Sequence, residues 1–545
     1  MSTLQKLLAK KPERPPLTPG MRRVLALSQG EDKVPDQTSK HALPGCRYSL
    51  RPIQSRALYH IGKYGGLCAP IGVGHGKFLI SALAPSVVGA ERPVLLVPPS
   101  LVAQTSQEIA KFREHFKIHE DIQVVSYSKL SVASGASILD DIKPDLIIAD
   151  ECHHLRHRTA SRTKRVIRYF QSNPQCKFIA LSGTLTSKGL ADYAHLVEIA
   201  LRGNAPLPLD FWELQIWAAC LDVGGDPDTY ERQCFQPLVE KYGGNFREAY
   251  FRRFRSTPGV VSTQDSSASC ALYMRRATCA PPKLVKQAID HLERTWTAPG
   301  GEEIEDALEM ARIRRQLLCG FYYVWEWPDG NPDWDWLDAR AEWHRQVRRV
   351  LKRSLEGRDS PLLVARWAQS EGCHDRALVV TWRAWDVQRG KRKPPVRTVW
   401  IDTYLVDAAM RFLGARTEQP TIVWCQHRAL LEEFEARGLP TYGAGMEIPD
   451  VPAHHCAMSI SAQGTGKNLQ RWSENLLTSF PPNGSVLEQL IGRTHRLGQE
   501  ADEVNVWYFE QHDSVWMDIK KAREVARYIH ETQGNRMKIL SAMWT

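Results

Sequence analysis

The sequence predicts an α/β fold of two parallel-sheet lobes with a mostly helical insertion between them. Short apolar segments alternate with helical stretches in residues 46–200 and again in 400–545. Residues 201–399 differ in composition: they are rich in Arg and Trp and in sequence that favours helices. Buried strands that alternate with helices are typical of parallel sheets with right-handed crossovers. The 545 residues also exceed what one hydrophobic core usually organises, so two or three domains are expected.

Residues 1–45 are rich in Pro, Lys, Ser and Gln, which predicts a flexible basic arm with one short helix near residues 21–27. The sequence shows no apolar run of the roughly 18 residues that a membrane span needs, and its start lacks a signal-peptide core. These features predict a cytoplasmic protein with reduced cysteines. The net charge of +10 has the sign that suits a polyanionic partner.

Four apolar segments of the first region end abruptly in polar residues. They are 94–97, followed by Pro98, Pro99 and Ser100; 122–125, followed by Ser126; 146–149, followed by Asp150 and Glu151; and 178–181, followed by Ser182, Gly183 and Thr184. The carboxyl ends of parallel strands meet at one edge of a sheet, where ligands bind. We therefore expect these polar clusters to lie together in one site.

A glycine-rich loop follows the apolar stretch 66–71. Its residues are Gly72, Val73, Gly74, His75, Gly76 and Lys77. Backbone amides of such a loop can surround phosphates, and its lysine can meet their charge. Phe78 stands where Ser or Thr commonly holds Mg²⁺, and Ile71 stands where the first glycine of the common pattern belongs. A tight strand-to-helix turn without a ligand is the alternative interpretation.

Asp150 and Glu151 follow the apolar segment 146–149, 73 residues beyond Lys77. In phosphoryl transfer, one acid at a strand end can hold Mg²⁺ and another can orient the attacking water. We predict that Asp150 is the metal ligand and that Glu151 is catalytic. An ordinary acidic pair at the surface is the alternative.

Residues 489–499 read QLIGRTHRLGQ and contain Gln489, Arg493 and Arg496. The two arginines lie three residues apart, so one helix face can direct both at a triphosphate. An arginine that reaches the site from a second lobe can stabilise charge on the transferred phosphoryl group. We predict that all three side chains are catalytic. A solvated basic helix is the alternative.

Together these motifs resemble those of superfamily 2 helicases, and specifically the Snf2-like group with a DExH box. The matching segments are 50–54 (LRPIQ), 72–77 (GVGHGK), 98–100 (PPS), 150–153 (DECH), 182–184 (SGT), 461–469 (SAQGTGKNL) and 489–499. The resemblance covers about residues 46–200 and 400–540, and it extends only loosely over 201–399. It implies two RecA-like lobes with ATP and Mg²⁺ in the cleft between them.

The resemblance also assigns roles to residues. Arg51 and Gln54 would bind the nucleotide together with Gly74, His75, Gly76 and Lys77, and Gln54 would contact adenine. Ser182, Gly183 and Thr184 would couple hydrolysis to movement. The residues that would contact nucleic acid are Pro99, Ser100, Gly464, Thr465, Gly466 and Asn468.

The insertion holds two further clusters. In residues 246–255, four arginines interleave with four aromatic residues, which suits a surface that contacts a nucleic-acid strand. We predict that Arg252 and Arg253 bind nucleic acid; an amphipathic helix with buried aromatic rings and solvated arginines is an equal alternative. Trp325, Trp327, Trp334 and Trp336 form the second cluster, and we expect these rings to pack between the lobes.

The resemblance implies an ATP-dependent DNA translocase or helicase that acts on duplex or single-stranded DNA. An RNA-directed helicase and a weakly hydrolysing scaffold are the alternatives, and Phe78 favours the scaffold. A replication, repair or transcription protein is an expected partner. Compact members of this kind occur in bacteriophage genomes, so a phage-encoded member would act in the host cytoplasm.

Overall fold

The computed structural model describes residues 15–545 except 32, 187–188, 264–267, 269, 302, 305, 328–329, 354–357, 392, 450 and 465–466. Two parallel sheets, each packed against helices, form two RecA-like lobes. This architecture confirms the α/β fold class predicted from the sequence. In the part of the chain just given, no helix is long and apolar enough to cross a membrane.

The first lobe contains a five-stranded sheet in the order β1-β5-β4-β2-β3. Its strands are β1 (Leu67–Pro70), β2 (Pro93–Val97), β3 (Gln123–Ser126), β4 (Leu146–Asp150) and β5 (Lys177–Ser182). Its helices are α1 (Pro19–Ala26), α2 (Thr38–His41), α3 (Pro52–Tyr64), α4 (Lys77–Val88), α5 (Val102–Phe112), α6 (Ile138–Ile142), α7 (Ser161–Ser172) and α8 (Ala194–Leu201). All residues of β1 and β2 are buried, as expected for strands covered on both faces.

The strand order determines what surrounds the carboxyl end of β5. β5 lies between β1 and β4, so the loop after β1 and the acids after β4 lie on either side of Ser182. On the outer edge of β1, the Cys68 amide donates to the Gly259 carbonyl at 2.8 Å and the Val261 amide donates to the Cys68 carbonyl at 3.2 Å. Residues 259–263 therefore extend this edge of the sheet and bring Thr263 close to the glycine-rich loop.

Residues 15–31 and 33–45 pack on the first lobe, so the prediction of a flexible arm is wrong for this part. Met21 and Val24, three residues apart on α1, are fully buried in the core of the lobe. Arg23 donates to the carbonyls of Gly203 and Ala205 and so fixes the helix to the segment after α8. The predicted short helix is confirmed as α1. Residues 1–14 lie outside the described part of the chain.

Residues 201–399 are mostly helical, and they also contribute three strands. The elements are α9 (Phe211–Leu221), α10 (Thr229–Tyr242), α11 (Phe246–Arg255), β6 (Ala271–Ala277), α12 (Lys283–Thr295), α13 (Ala307–Leu318), β7 (Phe321–Trp325), α14 (Trp334–Arg353), α15 (Pro361–Gln369), α16 (Arg376–Arg389) and β8 (Val396–Trp400). β6 pairs with a strand of the second lobe, so this segment supplies part of the second sheet.

The second lobe contains a seven-stranded parallel sheet in the order β10-β11-β9-β12-β13-β6-β14. Its other strands are β9 (Thr421–Cys425), β10 (Thr441–Tyr442), β11 (Cys456–Ser459), β12 (Glu474–Leu477), β13 (Glu503–Phe509) and β14 (Met543–Trp544). Its helices are α17 (Tyr404–Gly414), α18 (Arg428–Ala436), α19 (Ile460–Gln463), α20 (Gly484–Thr494), α21 (Asp513–Gln533) and α22 (Lys538–Ser541). The strands β9, β11, β12 and β13 confirm the alternation of short apolar segments with helices that is predicted for residues 400–545.

Residues 334–397, which we call the helical unit, contain α14, α15 and α16. These helices pack around Trp343 and Trp382, whose ring centroids lie 4.9 Å apart. β7 and β8 form a two-stranded antiparallel ribbon that connects the unit to the second lobe. Trp325 and Trp327 stack beside Trp336 at the base of this ribbon. The tryptophan cluster therefore packs the ribbon against the unit and not, as predicted, the lobes against each other.

The helical unit also contacts the first lobe through a buried ion pair. Asp359 accepts from Arg165 of α7 at 2.8 Å, and both side chains are only 1% exposed. Arg168 adds a second contact to Asp359 at 3.3 Å. The unit is therefore attached to the second lobe through the ribbon and docked on the first lobe through Asp359.

Candidate functional site

The glycine-rich loop connects β1 to α4 at the carboxyl edge of the first sheet. Gly74 and Gly76 adopt left-handed backbone angles, with φ of +90° and +72°. A Cβ atom on Gly76 would lie 2.5 Å from the Gln54 side-chain nitrogen, so only glycine fits there. Lys77 is the first residue of α4, and the loop therefore presents backbone amides at a helix N-terminus, a favourable position for phosphate.

Arg51 and Gln54 hold this loop in place. The Arg51 guanidinium donates to the Gly74 carbonyl at 2.7 Å, and the Gln54 amide donates to the Gly76 carbonyl at 2.8 Å. The Gln54 carbonyl accepts from the Arg51 backbone amide at 2.8 Å, and the Gln54 side chain is buried. Both residues therefore position the phosphate loop, and the predicted contact of Gln54 with adenine stays a prediction.

A cavity of about 700 Å³ opens beside the loop. Its volume lies within the range of small-molecule sites in proteins. The basic residues and histidine that line it are Lys33, Arg51, Arg56, His75 and Arg255. Asp36 is the acid in its lining. This excess of positive charge suits an anionic ligand.

Asp150 ends β4, and Glu151 follows it with a left-handed backbone at φ +53°. That conformation costs a non-glycine residue energy, and such strain is concentrated at functional sites. Burial and the neighbouring Glu151 carboxylate raise the pKa of Asp150 to about 7. Burial also disfavours the charged form of Glu151, but Lys77 and His153 lower the pKa of Glu151 below its usual value. The site therefore holds one ionised acid and one acid that a cation would ionise.

Lys77 and Glu151 face each other across the site. The Lys77 Nζ lies 3.7 Å from a Glu151 carboxylate oxygen and donates to the Ile71 carbonyl at 3.2 Å. His153 Nδ1 lies 3.3 Å from the Glu151 carboxylate and 3.0 Å from the Ser182 hydroxyl. Ser182 in turn accepts from the Thr184 amide at 3.2 Å. The structure thus joins the predicted loop lysine, Glu151 and the coupling residues Ser182 and Thr184 through an ion pair and hydrogen bonds.

The second lobe contributes α20, which carries Gln489 and Arg493 and ends at Thr494. Arg496 follows the helix, so the prediction that one helix face directs both arginines is wrong. Arg493 is buried and donates to the carbonyls of Gly464 and Lys467 within its own lobe, at 3.1 and 3.3 Å. Burial lowers the pKa of Arg493 to about 10, while the Glu151 carboxylate of the first lobe opposes that shift. Gln489 lines a cavity of about 200 Å³ together with His154 and Thr184 of the first lobe.

Arg496 lies in the cleft between the lobes, where its positive charge is repelled by that of Arg51. One guanidinium nitrogen donates to the Asn468 side chain, and the buried Nε has no hydrogen-bond partner in the described part of the chain. Burial lowers the pKa of Arg496, and the Arg51 guanidinium of the first lobe lowers it further. Two like charges in a partly buried cleft are stabilised when an anion binds between them.

The lobes touch directly at the glycine-rich loop. A Cβ atom on Gly492 of α20 would lie 2.9 Å from a methyl carbon of Val73, so the helix backbone packs against the loop. A cavity of about 20 Å³ remains beside this contact, room for about one water molecule. The phosphate loop and α20, which carries Gln489 and Arg493, are therefore in contact.

A hydrogen-bonded chain also crosses between the lobes. The Gly72 amide donates to the Thr263 hydroxyl at 2.9 Å, which contacts the Asn535 side-chain oxygen at 3.3 Å. The Asn535 amide donates to the Gly183 carbonyl at 2.6 Å, and the Leu185 amide donates to the Gln533 side chain at 3.0 Å. No sequence motif includes Thr263, Gln533 or Asn535, so these residues could not be recognised from the sequence alone.

The predicted nucleic-acid residues occupy different environments. Pro99 and Ser100 are exposed after β2, and Asn468 is exposed in the second lobe. Gly464 is buried, and its carbonyl accepts from Arg493. Thr465 and Gly466 lie outside the described residues.

The prediction for Arg253 is wrong. Arg253 is 0% exposed and donates to the carbonyls of Leu27 and Ser28 and to the Tyr242 hydroxyl. Its guanidinium fixes the N-terminal segment to α11, because apolar packing of this helix turns Arg253 inward. Arg252 is exposed, and one of its nitrogens donates to the Tyr242 carbonyl.

Phe78 contributes to packing. Its ring centroid lies 5.6 Å from that of Phe112 on α5, and the side chain packs on the apolar cluster of the first lobe. The position after Lys77 therefore supplies an apolar contact between α4 and α5 and offers no hydroxyl to a metal.

Residues 48–187 match the family model described as type III restriction enzyme, res subunit. A comparison with curated proteins gave no match. The matched segment contains the glycine-rich loop, the acidic pair and Ser182, which the structure places together. In these residues the chain is similar to a helicase-like ATPase domain of superfamily 2.

Proposed function

We propose that this chain is an ATP-dependent DNA translocase or helicase of the Snf2-like group. The convergence of both lobes on the glycine-rich loop carries the proposal: Lys77 and Glu151 lie 3.7 Å apart on one side, and Gly492 packs against Val73 on the other. A nucleotide bound at this junction would respond to the relative position of the lobes. Movement of one lobe against the other is the mechanical step that a motor needs.

Within this proposal, the loop amides and Lys77 bind the phosphates, and the basic cavity beside Arg51 and His75 receives the rest of the nucleotide. Glu151 orients the attacking water through its ionised carboxylate. Arg496 stabilises charge on the transferred phosphoryl group, and the like charge of Arg51 across the cleft supports an anion at this position. Arg493 donates to the Gly464 and Lys467 carbonyls and so supports the same helix end.

Asp150 fits a magnesium ion. Its carboxylate stands at a strand end, and burial together with the neighbouring Glu151 carboxylate raises its pKa, so a cation beside it would stabilise its ionised form. Mg²⁺ prefers carboxylate and phosphate oxygens and keeps several waters, so the apolar Phe78 does not exclude it. When bound, the ion would neutralise charge on the phosphates.

Exposed Pro99, Ser100, Arg252 and Asn468 are the residues that we propose for contact with nucleic acid, together with the 464–466 segment. Ser182, Gly183 and Thr184 would transmit nucleotide state to that contact. We also propose a cytoplasmic location, that of the host if the chain is phage-encoded, and a replication, repair or transcription protein as partner.

Steady-state ATP hydrolysis tests this function when it is measured with no polymer, single-stranded DNA, duplex DNA and RNA. We expect DNA to stimulate turnover, with duplex at least as effective as single strands. Stimulation by RNA alone would replace the proposal with an RNA-directed helicase. Negligible turnover under all four conditions would support a scaffold, the function that Phe78 favours.

A further inference from the structure

The positive charge of the chain is concentrated in the helical unit. Residues 334–397 contain fifteen Lys and Arg against eight Asp and Glu, a net charge of +7. The whole chain carries +10, so 64 of the 545 residues carry most of its net charge. Such a basic region on one structural unit is the electrostatic footprint of a polyanion-binding surface.

The basic residues that are available to bind a polyanion are those without an acidic partner inside the helical unit. Arg349 pairs with Asp375, and Arg389 pairs with Asp386. By contrast, several exposed basic side chains have no acidic partner in the described part of the chain. They include Arg348, Lys352, Arg376 and Arg383.

These side chains form two stripes. On α14, Arg348 and Lys352 lie on one exposed helix face, about 6 Å apart along the axis. Arg345 lies on the same face and pairs with Glu342. On α16, Arg376 and Arg383 share an exposed face with Val380 and Val387, which are 58% and 77% exposed. The opposite faces of both helices meet through Trp343 and Trp382, so the stripes point away from the core.

The helical unit that carries the stripes contacts both lobes. The ribbon of β7 and β8 connects the unit to the second lobe, and Asp359 docks it on Arg165 of the first lobe. Lys164 of α7 adds a bond to the Leu351 carbonyl. A polymer bound to the stripes would therefore be held by a body that contacts both lobes.

We infer that the helical unit is a second nucleic-acid grip, which binds the phosphate backbone through the stripes on α14 and α16. Arginine and lysine on an exposed helix complement phosphate charge and carry no sequence information. The inference rests on the proposed function, since it names where the polymer of that motor is also held. The unit lies outside the segment that resembles helicase-like ATPases.

Two double variants test the grip on the full-length protein: Arg348→Glu with Lys352→Glu, and Arg376→Glu with Arg383→Glu. Lys283→Glu with Lys286→Glu makes the same charge change at exposed positions on α12 and serves as the control. Affinity for a labelled DNA duplex is measured between about 50 and 200 mM salt. Because the four residues are exposed, thermal denaturation should match the parent.

We expect each grip variant to weaken duplex binding at least tenfold and to flatten the salt slope by about 0.9 for each lost phosphate contact. Polymer-free ATP hydrolysis should remain at the parent rate, and the α12 control should bind like the parent. Parent affinity and slope in both grip variants, with stimulated hydrolysis intact in the parent, would overturn the inference and leave the proposed function standing. A parent protein that binds neither DNA nor RNA would remove both.

Anionic lipid is the competing polyanion, and phosphatidylserine vesicles distinguish it. We expect vesicles to leave duplex binding unchanged. Binding to vesicles that the grip variants lose, together with unchanged duplex binding, would assign the stripes to a membrane surface and overturn the inference.

Discussion

Asn535 of the second lobe donates its side-chain amide to the carbonyl of Gly183 in the first lobe, at 2.6 Å. The same side chain contacts Thr263, whose hydroxyl accepts from the Gly72 amide of the phosphate loop. One buried amide thus connects the loop after β5 with the loop after β1. Any change in the distance between the lobes must stretch or break this connection.

We predict that Asn535→Asp lowers nucleic-acid-stimulated kcat about tenfold, which corresponds to about 1.4 kcal/mol, within the range of one hydrogen bond. The substitution keeps the shape but replaces the amide donor with an oxygen that repels the Gly183 carbonyl. The KM for ATP should stay near that of the parent, because the phosphate loop itself is intact. Asn204→Asp, at an exposed position, makes the same charge change and should leave kcat unaltered. Parent kcat in Asn535→Asp would show that the connection is only structural.

The contact between Val73 and Gly492 predicts a steric coupling of the lobes. In Gly492→Ala the new methyl would meet Val73 at 2.9 Å, so the interface must open and stimulated turnover should fall. Val73→Ala in the same chain removes the obstructing methyls and should restore turnover in part. A double-mutant cycle on kcat/KM should give a coupling of about 0.5–3 kcal/mol. Additive losses would mean that the two residues do not meet during turnover.

Glu151→Gln should retain ATP binding while turnover falls by about 10²-fold or more, the range for a lost general base. Glutamine preserves the size of the side chain and its contact with Ser182 but cannot polarise water as a carboxylate does. Nucleotide affinity and steady-state hydrolysis, measured separately, check this split. Glu91→Gln, at an exposed position beside β2, is the control. Hydrolysis at the parent rate would remove Glu151 from the catalytic set.

Asp359→Asn should destabilise the docked helical unit by about 3–5 kcal/mol, because it leaves the buried Arg165 charge unpaired. Hydrogen exchange along α7 and thermal denaturation both report this loss. Asp386→Asn breaks an exposed pair with Arg389 and should change stability by less than about 0.5 kcal/mol. Equal stability of the two variants would contradict the burial that defines the docking contact.

The strands and the motifs at their ends could be predicted from the sequence because buried parallel strands are continuous apolar runs. Residues 146–149 and 178–181 are such runs, and Asp150 and Ser182 follow them directly. Parallel pairing then places their carboxyl ends together without further information. The helix that carries Gln489 and Arg493 was predicted in a different way, from the recognisable pattern of residues 489–499.

Other features depend on which helix face turns inward. In α11 the aromatic and basic residues alternate so closely that either face could be buried, and the structure buries Arg253 together with Tyr250. Met21 and Val24 form a small apolar face on α1. The polar composition of residues 1–45 did not indicate that this face would be buried. Asn535 follows Gly534 at the end of α21 and depends on long-range contact with Gly183, which no local pattern encodes.

We propose that Arg496 of the second lobe completes an ATPase site on the first lobe. Steady-state ATP hydrolysis by the parent and by Arg496→Ala, measured with and without duplex DNA, tests this role of Arg496. We predict that DNA stimulates the parent and that Arg496→Ala binds ATP normally but loses about 10³-fold or more of the stimulated rate. A loss of only a few-fold, in a protein that remains folded and DNA-bound, would show that Arg496 does not complete the ATPase site.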